Sequence, residues 1–201
     1  MLQAGHQKST KENGKVLLLL DANETLLYRK YDPETQTYSA ATLRPYLSEF
    51  VTWLKGLARV DLGVWMGVYS QNECDTVMEL LKPAGLTKKL CRKRVFFAFA
   101  QFKQRGKNRC FKGTTKPIIT KPVRMMKQIF PTYSHVLLFD NDVEKSQGLD
   151  GKGGKFANTA SEHIEVTPFR GDTQLDNELQ PSVGAGAKAL SNHLSELLPR
   201  Q

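Results

Sequence analysis

From Leu80 to Phe139 the chain contains no aspartate and no glutamate. The same stretch holds 15 of the 29 lysines and arginines, so the rest of the molecule carries 14 basic against 20 acidic residues and the net charge of +9 comes from this middle segment alone. A long basic tract without any carboxylate is the electrostatic footprint of a polyanionic partner, either RNA or an acidic or phosphorylated protein segment. Other scarcities exclude further classes. No apolar run approaches the roughly 18 residues of a membrane-crossing helix, so no membrane span is expected. The first fourteen residues lack the apolar core of a secretory signal and contain no arginine, which argues against a presequence. Only three cysteines occur, Cys74, Cys91 and Cys110, with no C-x-x-C spacing. That excludes a zinc ribbon or a disulfide framework and points to a reducing, intracellular compartment, with nucleus, cytoplasm and mitochondrial matrix all open. The four histidines, His6, His135, His163 and His193, are too scattered for metal-ligand spacing.

Length and composition, 201 residues with 40% hydrophobic and 24% charged positions, suit one substantial core. We expect a flexible tail over residues 1–14 and a single domain over 15–201. Lys15 to Leu20 is an aliphatic run that reads as a strand buried on both faces, and it ends at an acid, Asp21. Residues 26–42 place Asp32-Pro33-Glu34-Thr35 between segments rich in Tyr, Leu and Thr, a hairpin signal. After Arg44-Pro45, the spacing of Leu47, Phe50, Val51, Leu54 and Leu57 predicts a helix. A second strand is expected over Val60 to Trp65, a second helix over Cys74 to Leu81 ending at Lys82-Pro83 and Gly85, and a third strand over Val95 to Phe99. Residues 101–116 form a basic, Gly-containing insertion without apolar periodicity and read as a loop. A helix over Val123 to Phe130 precedes a fourth strand, His135 to Phe139, which also ends at an acid, Asp140. Gly148 to Gly154 reads as a loop, His163 to Val166 as a short strand, and Val183, Ala187, Leu190, Leu194 and Leu197 mark a closing amphipathic helix. This alternation predicts an α/β fold, a Rossmann-like parallel sheet flanked by helices with a hairpin flap after the first strand. Such sheets bind ligands at the carboxyl ends of their strands, where Asp21 and Asp140 both fall.

Two carboxylates converging there suit a magnesium-dependent phosphoryl-transfer site, because Mg²⁺ takes few protein oxygens and leaves room for phosphate. The motifs carry a resemblance. LLLLDANETLL, with Asp21, Asn23 and Thr25, resembles the first motif (D-x-D-x-T/V) of haloacid dehalogenase phosphatases. LRPYLSEFVTWL, GVW at 63–65, KPIITKPVRMM and VLLFDNDVEKS resemble, in order, the arginine-proline helix, second strand, lysine motif and last acidic motif of the CTD-phosphatase-like branch. The closing I-x-V-x-P-F, Ile164 to Phe169, extends the likeness over roughly residues 15 to 198.

The resemblance implies that Asp21 is the nucleophile that forms an aspartyl-phosphate. It implies Mg²⁺ held by Asp21, Asp140 and the backbone carbonyl of Asn23, and phosphate held by Lys121 and a hydroxyl after the second strand. Aligned without gaps on Trp65, that hydroxyl position falls at Met66, which cannot donate a hydrogen bond; a shift of four residues supplies Ser70, and the Met66 alignment is preferred. The family's second Asp, the general acid and base, is replaced by Asn23. The expected function is therefore a pseudophosphatase that serves as a binding component of a larger, RNA-containing or multi-protein assembly. The alternative is an active Mg²⁺-dependent phosphoserine/phosphothreonine phosphatase. In either case the polyanion-binding residues are expected to be Lys88, Lys89, Arg92, Lys93, Arg94, Lys103, Arg105, Lys107, Arg109, Lys112 and Lys116.

Overall fold

A computed structural model of the chain describes residues 16–59, 64–70, 74–86, 97–98, 104–110, 117–120, 133–142 and 160–197. The aliphatic run forms β1 (Val16–Leu20), every residue of which is buried. It lies at the centre of a five-stranded sheet with β6 (Val64–Ser70), β7 (Phe97–Ala98), β10 (His135–Asp140) and β11 (Ala160–Glu165), in the order β11-β10-β1-β6-β7. All four pairings are parallel. Burial on both faces explains why β1 and β10 read as unbroken apolar runs instead of alternating ones. Alternation survives in the packing: Val16, Leu18 and Leu20 join Val64, Met66, Val68, Leu137 and Phe139 in one core cluster with the helix residues. Leu17, Leu19, Val136 and Leu138 are equally buried outside that cluster.

The chain winds outward from β1 in both directions, through β6 and β7 on one side and β10 and β11 on the other. The order reverses beside β1, and a crevice opens at the carboxyl ends of the strands at such a switch point.

Helix α1 (Leu47–Arg59) follows the Arg-Pro pair. It buries Leu47, Phe50, Val51 and Leu54, and the Phe50 ring stacks on Phe139 with centroids 5.4 Å apart. Helix α2 (Cys74–Leu81) ends in a single 3₁₀ turn, Lys82–Ala84, closed by Gly85. Gly85 has φ 77° and donates its N–H to the Lys82 carbonyl, a left-handed cap that costs glycine little. Helix α3 (Ala185–Leu197) buries Ala187, Leu190 and Leu194, whereas Val183, expected on its apolar face, precedes it and is exposed.

The segment between β1 and α1 is a nested hairpin. β2 (Leu27–Tyr28) pairs antiparallel with β5 (Thr42–Leu43), and β3 (Tyr31–Asp32) with β4 (Thr37–Tyr38). At its tip the Asp32 carboxylate accepts hydrogen bonds from the Glu34 backbone and the Thr35 hydroxyl, which holds its pKa below the usual carboxylate value.

Two expectations are corrected. The second strand runs past Trp65 to Ser70, because pairing with β1 carries it from Val64 to Val68 and pairing with β7 carries it on through Tyr69 and Ser70. The insertion read as a loop contains β8 (Gln104–Cys110), which pairs antiparallel with β9 (Pro117–Thr120) across an irregular register. Ladder formation needs only backbone groups, so a polar strand without apolar alternation escapes a periodicity argument. The tail 1–14, the helix at 123–130 and the loop at 148–154 lie outside the described residues.

Candidate active site

The site is built by register. Leu20 stands opposite Phe139 on one side and Val68 on the other. The positions that come next, one rung beyond the last paired residues, are Asp21 immediately after β1, Asp140 at the end of β10 and Tyr69 in β6. The Asp21 amide donates to the Phe139 carbonyl at 2.9 Å, and the Val166 amide to the Asp140 carbonyl at 3.1 Å, so the rung is tied down on both sides of β10. Asp21, Asp140 and Tyr69 are 5%, 0% and 0% exposed. Burial, and after it the charge of Asp140, pushes the Tyr69 phenol well above its ordinary pKa.

Ser70 ends β6 and is buried. Met66 pairs with Leu18 in mid-strand and sits in the core cluster. The gap-free alignment thus points to a residue in mid-strand, whereas the residue at the strand end, paired with Ala98 of β7, is Ser70.

The loop after β1 turns back on itself. The Ala22 carbonyl accepts from the amides of Leu26 and Leu27, Glu24 donates to the Leu27 carbonyl, and Asn23 bridges to Leu27. Glu24 adopts φ 59°, a left-handed conformation unusual for a residue with a side chain. Its carboxylate accepts from Asn141 Nδ2 at 3.4 Å and pairs with Arg170. The Thr25 hydroxyl donates to Asn141 Oδ1 at 3.0 Å and accepts from the Asn141 amide at 3.2 Å, joining the first and last acidic motifs. The Asp140 carboxylate accepts from the Asp142 amide at 3.0 Å, and its carbonyl from His163 Nε2 at 3.1 Å.

Arg44 braces this loop from below. Its guanidinium, fully buried, donates to Asp176, to the Thr25 carbonyl at 3.1 Å and to the Thr167 carbonyl at 2.8 Å. Sequence reasoning missed Tyr69, Asp176 and the Glu24–Arg170 pair. Tyr69 was findable as the residue before Ser70; Asp176 lies in a polar loop that carries no periodic signal.

Among the described residues no group of three or more His, Cys, Asp or Glu side chains converges. A metal would therefore rest on the two carboxylates Asp21 and Asp140, with the Asn23 carbonyl as a third oxygen. Two buried hard oxygens on neighbouring strands fit Mg²⁺, which keeps several waters and uses few protein ligands. Lys121 lies outside the described residues, as do Lys88, Lys89, Arg92, Lys93, Arg94, Lys103, Lys112 and Lys116; Arg105, Lys107 and Arg109 occupy alternate positions of β8.

A solved structure similar to this chain is that of a hypothetical protein from Xanthomonas campestris, 14% identical over 98% of each chain with a TM-score of 0.38. No curated protein sequence matches. The family model of NLI interacting factor-like phosphatases matches residues 16–197, which spans both acidic motifs, the hairpin, Arg44 and α3. The chain belongs to the NLI interacting factor-like phosphatase family.

Proposed function

We propose that this member of the phosphatase family is a pseudophosphatase, which retains the phosphoryl- and metal-binding end of the sheet but lacks efficient turnover and acts as a binding component of a larger assembly. The observation that carries this reading is Asn23, two residues beyond Asp21 in the loop where the family's motif has its second Asp. That Asp gives a proton to the leaving oxygen and then takes one from water, whereas a carboxamide does not exchange a proton near neutral pH. Loss of a general acid and base costs about 10²- to 10⁴-fold in rate. The neighbouring acid offers no replacement, since the Glu24 carboxylate is committed to Arg170 and Asn141.

The remaining parts suit binding. The Asp21 carboxylate keeps its chemistry as a nucleophile, and the Ser70 hydroxyl is at the strand end where it can donate to a phosphoryl oxygen. Mg²⁺ on Asp21 and Asp140 would neutralise phosphate charge when bound. The basic segment, Lys88 to Lys116, supplies the docking surface for the polyanion, whose long-range field raises the encounter rate.

A second reading, an active Mg²⁺-dependent phosphoserine/phosphothreonine phosphatase, is favoured by Ser70: with a hydroxyl at the strand end, Asn23 is the single departure among the described motif residues. A phosphate-release assay with an aryl phosphate and a phosphoserine peptide separates the two. The expected result is no Mg²⁺-dependent release by the wild type and measurable release by Asn23→Asp. Robust wild-type turnover abolished by Asp21→Asn would establish the second reading instead.

A further inference from the structure

We infer that the hairpin after β1 is a stacking platform for the unpaired bases of single-stranded RNA, formed by Tyr31 and Tyr38 with Arg29 and Lys30 beside them. The inference rests on the polyanion partner proposed above and deepens it by naming its class. Among the described residues, five large hydrophobic side chains are exposed, and two of them, Tyr31 at 48% and Tyr38 at 56%, meet in a ring contact. They are cross-strand partners of β3 and β4, so both project from one face of the hairpin. Their ring centroids lie 5.1 Å apart with the planes inclined at 54°, so neither ring lies flat on the other. The Arg29 guanidinium lies over the Tyr38 ring, 4.6 Å from its centroid. The exposed part of each ring is open to another flat group.

Charge and chemistry choose the occupant. Arg29 lies on the ring face, the exposed Lys30 adjoins it, and neither is ion-paired with a described carboxylate. Asp32 does not cancel them. It stands opposite Thr37 on the next rung, which points to the other face, and its carboxylate is taken up by the Glu34 amide and the Thr35 hydroxyl. Aromatic faces beside cations suit single-stranded nucleic acid, because every base has a π-face and every linkage a phosphate charge. An acidic peptide would engage the cations and leave the rings idle. The hairpin springs from the loop after β1, where the Leu27 amide donates to the Ala22 carbonyl and the Arg44 amide to the Leu26 carbonyl. RNA on the platform therefore lies at the carboxyl end of the sheet, the end at which such folds take their ligands.

The test is equilibrium binding of the full chain to single-stranded oligouridylate, to inorganic polyphosphate, which has charge but no bases, and to an acidic phosphoserine peptide. Each is measured over a salt series for wild type, for Tyr31→Ala with Tyr38→Ala, and for Tyr31→Phe with Tyr38→Phe. The alanine variant is expected to bind oligouridylate about 5- to 150-fold more weakly, the worth of one stacked base. Its salt slope is expected to be unchanged, because no phosphate contact is lost, and its polyphosphate affinity to equal that of the wild type. The phenylalanine variant keeps both rings and is expected to match the wild type on every ligand. Equal oligouridylate affinities for wild type and alanine variant would overturn the platform and leave the polyanion partner standing, as would parallel losses for oligouridylate and polyphosphate. A wild type that binds the phosphopeptide but not oligouridylate would overturn the platform too. Binding to none of the three would overturn both the platform and the polyanion partner. Should the alanine variant not fold, thiouridine-substituted RNA irradiated on the wild type decides: adducts on Tyr31 or Tyr38 are expected, and adducts confined to other residues overturn the inference.

Discussion

Arg44 and Asp176, 132 residues apart, meet in a buried ion pair in which Arg44 Nε lies 3.0 Å from both carboxylate oxygens. The same guanidinium holds the carbonyls of Thr25 and Thr167 and lies over the Phe169 ring. One side chain thus fastens the loop after β1 to the segment after β11. The Thr25 hydroxyl carries the connection on to Asn141, beside Asp140.

Removing one partner of a buried pair leaves an uncompensated charge, which costs about 3–5 kcal/mol. Asp176→Ala is expected to fall in that range, measured by urea denaturation. Arg44→Met removes the charge but orphans two carbonyls, so it is also destabilising. A loss under about 1 kcal/mol for Asp176→Ala, the value of an exposed pair, would show that the bridge does not brace the fold.

Ser70 and Met66 separate by the kind of damage their loss does. Ser70→Ala, made in an Asn23→Asp background that turns over, removes a donor to the phosphoryl group and is expected to reduce kcat by about 10²- to 10³-fold. Met66→Ala opens a core cavity and is expected to cost about 2–5 kcal/mol of stability, with little change in kcat for the folded fraction. The reverse pattern in the same kinetic and denaturation measurements would make Met66 the motif position.

Tyr69 gives a signature at alkaline pH. Its folded pKa lies above the ordinary 10.0, so as pH rises through 10 the unfolded chain releases a proton that the folded chain keeps. Stability therefore falls with pH in that window, by about 1.4 kcal/mol per unit for one group. Tyr69→Phe is expected to lose this component, seen as a shallower fall in denaturation free energy between pH 10 and 11. Identical slopes would mean that Tyr69 ionises normally in the fold.

For the basic segment, replacing Lys103, Arg105, Lys107 and Arg109 together by Glu is expected to weaken binding to single-stranded RNA and to flatten its salt dependence. Every phosphate that the variant leaves unneutralised takes about 0.7 from the slope of log affinity against log salt. Circular dichroism checks that the variant is folded. A folded variant with unchanged affinity and slope would reduce the segment to a solvated face.

Much of this architecture was legible in the residues themselves. β1 and β10 announce themselves as aliphatic runs closed by an acid, because a strand covered on both faces must be apolar throughout. The boundaries of α1 and α2 follow from apolar spacing, Arg44-Pro45 before one and Lys82-Pro83 with Gly85 after the other, since these signals act within a few residues. The motif order carried the family as well.

Tertiary pairing decided the rest. The strand ladder sets register between chain segments dozens of residues apart, and that register put Ser70 rather than Met66 at the end of β6 and Tyr69 beside Asp21 and Asp140. The partner of Arg44 lay in a polar loop indistinguishable from its surroundings until the fold closed the distance. The pairing of β8 with β9 rests on backbone hydrogen bonds, which leave no mark on composition. Local preference is written residue by residue, whereas register and long-range ion pairs exist only once the chain has chosen which of its segments are neighbours.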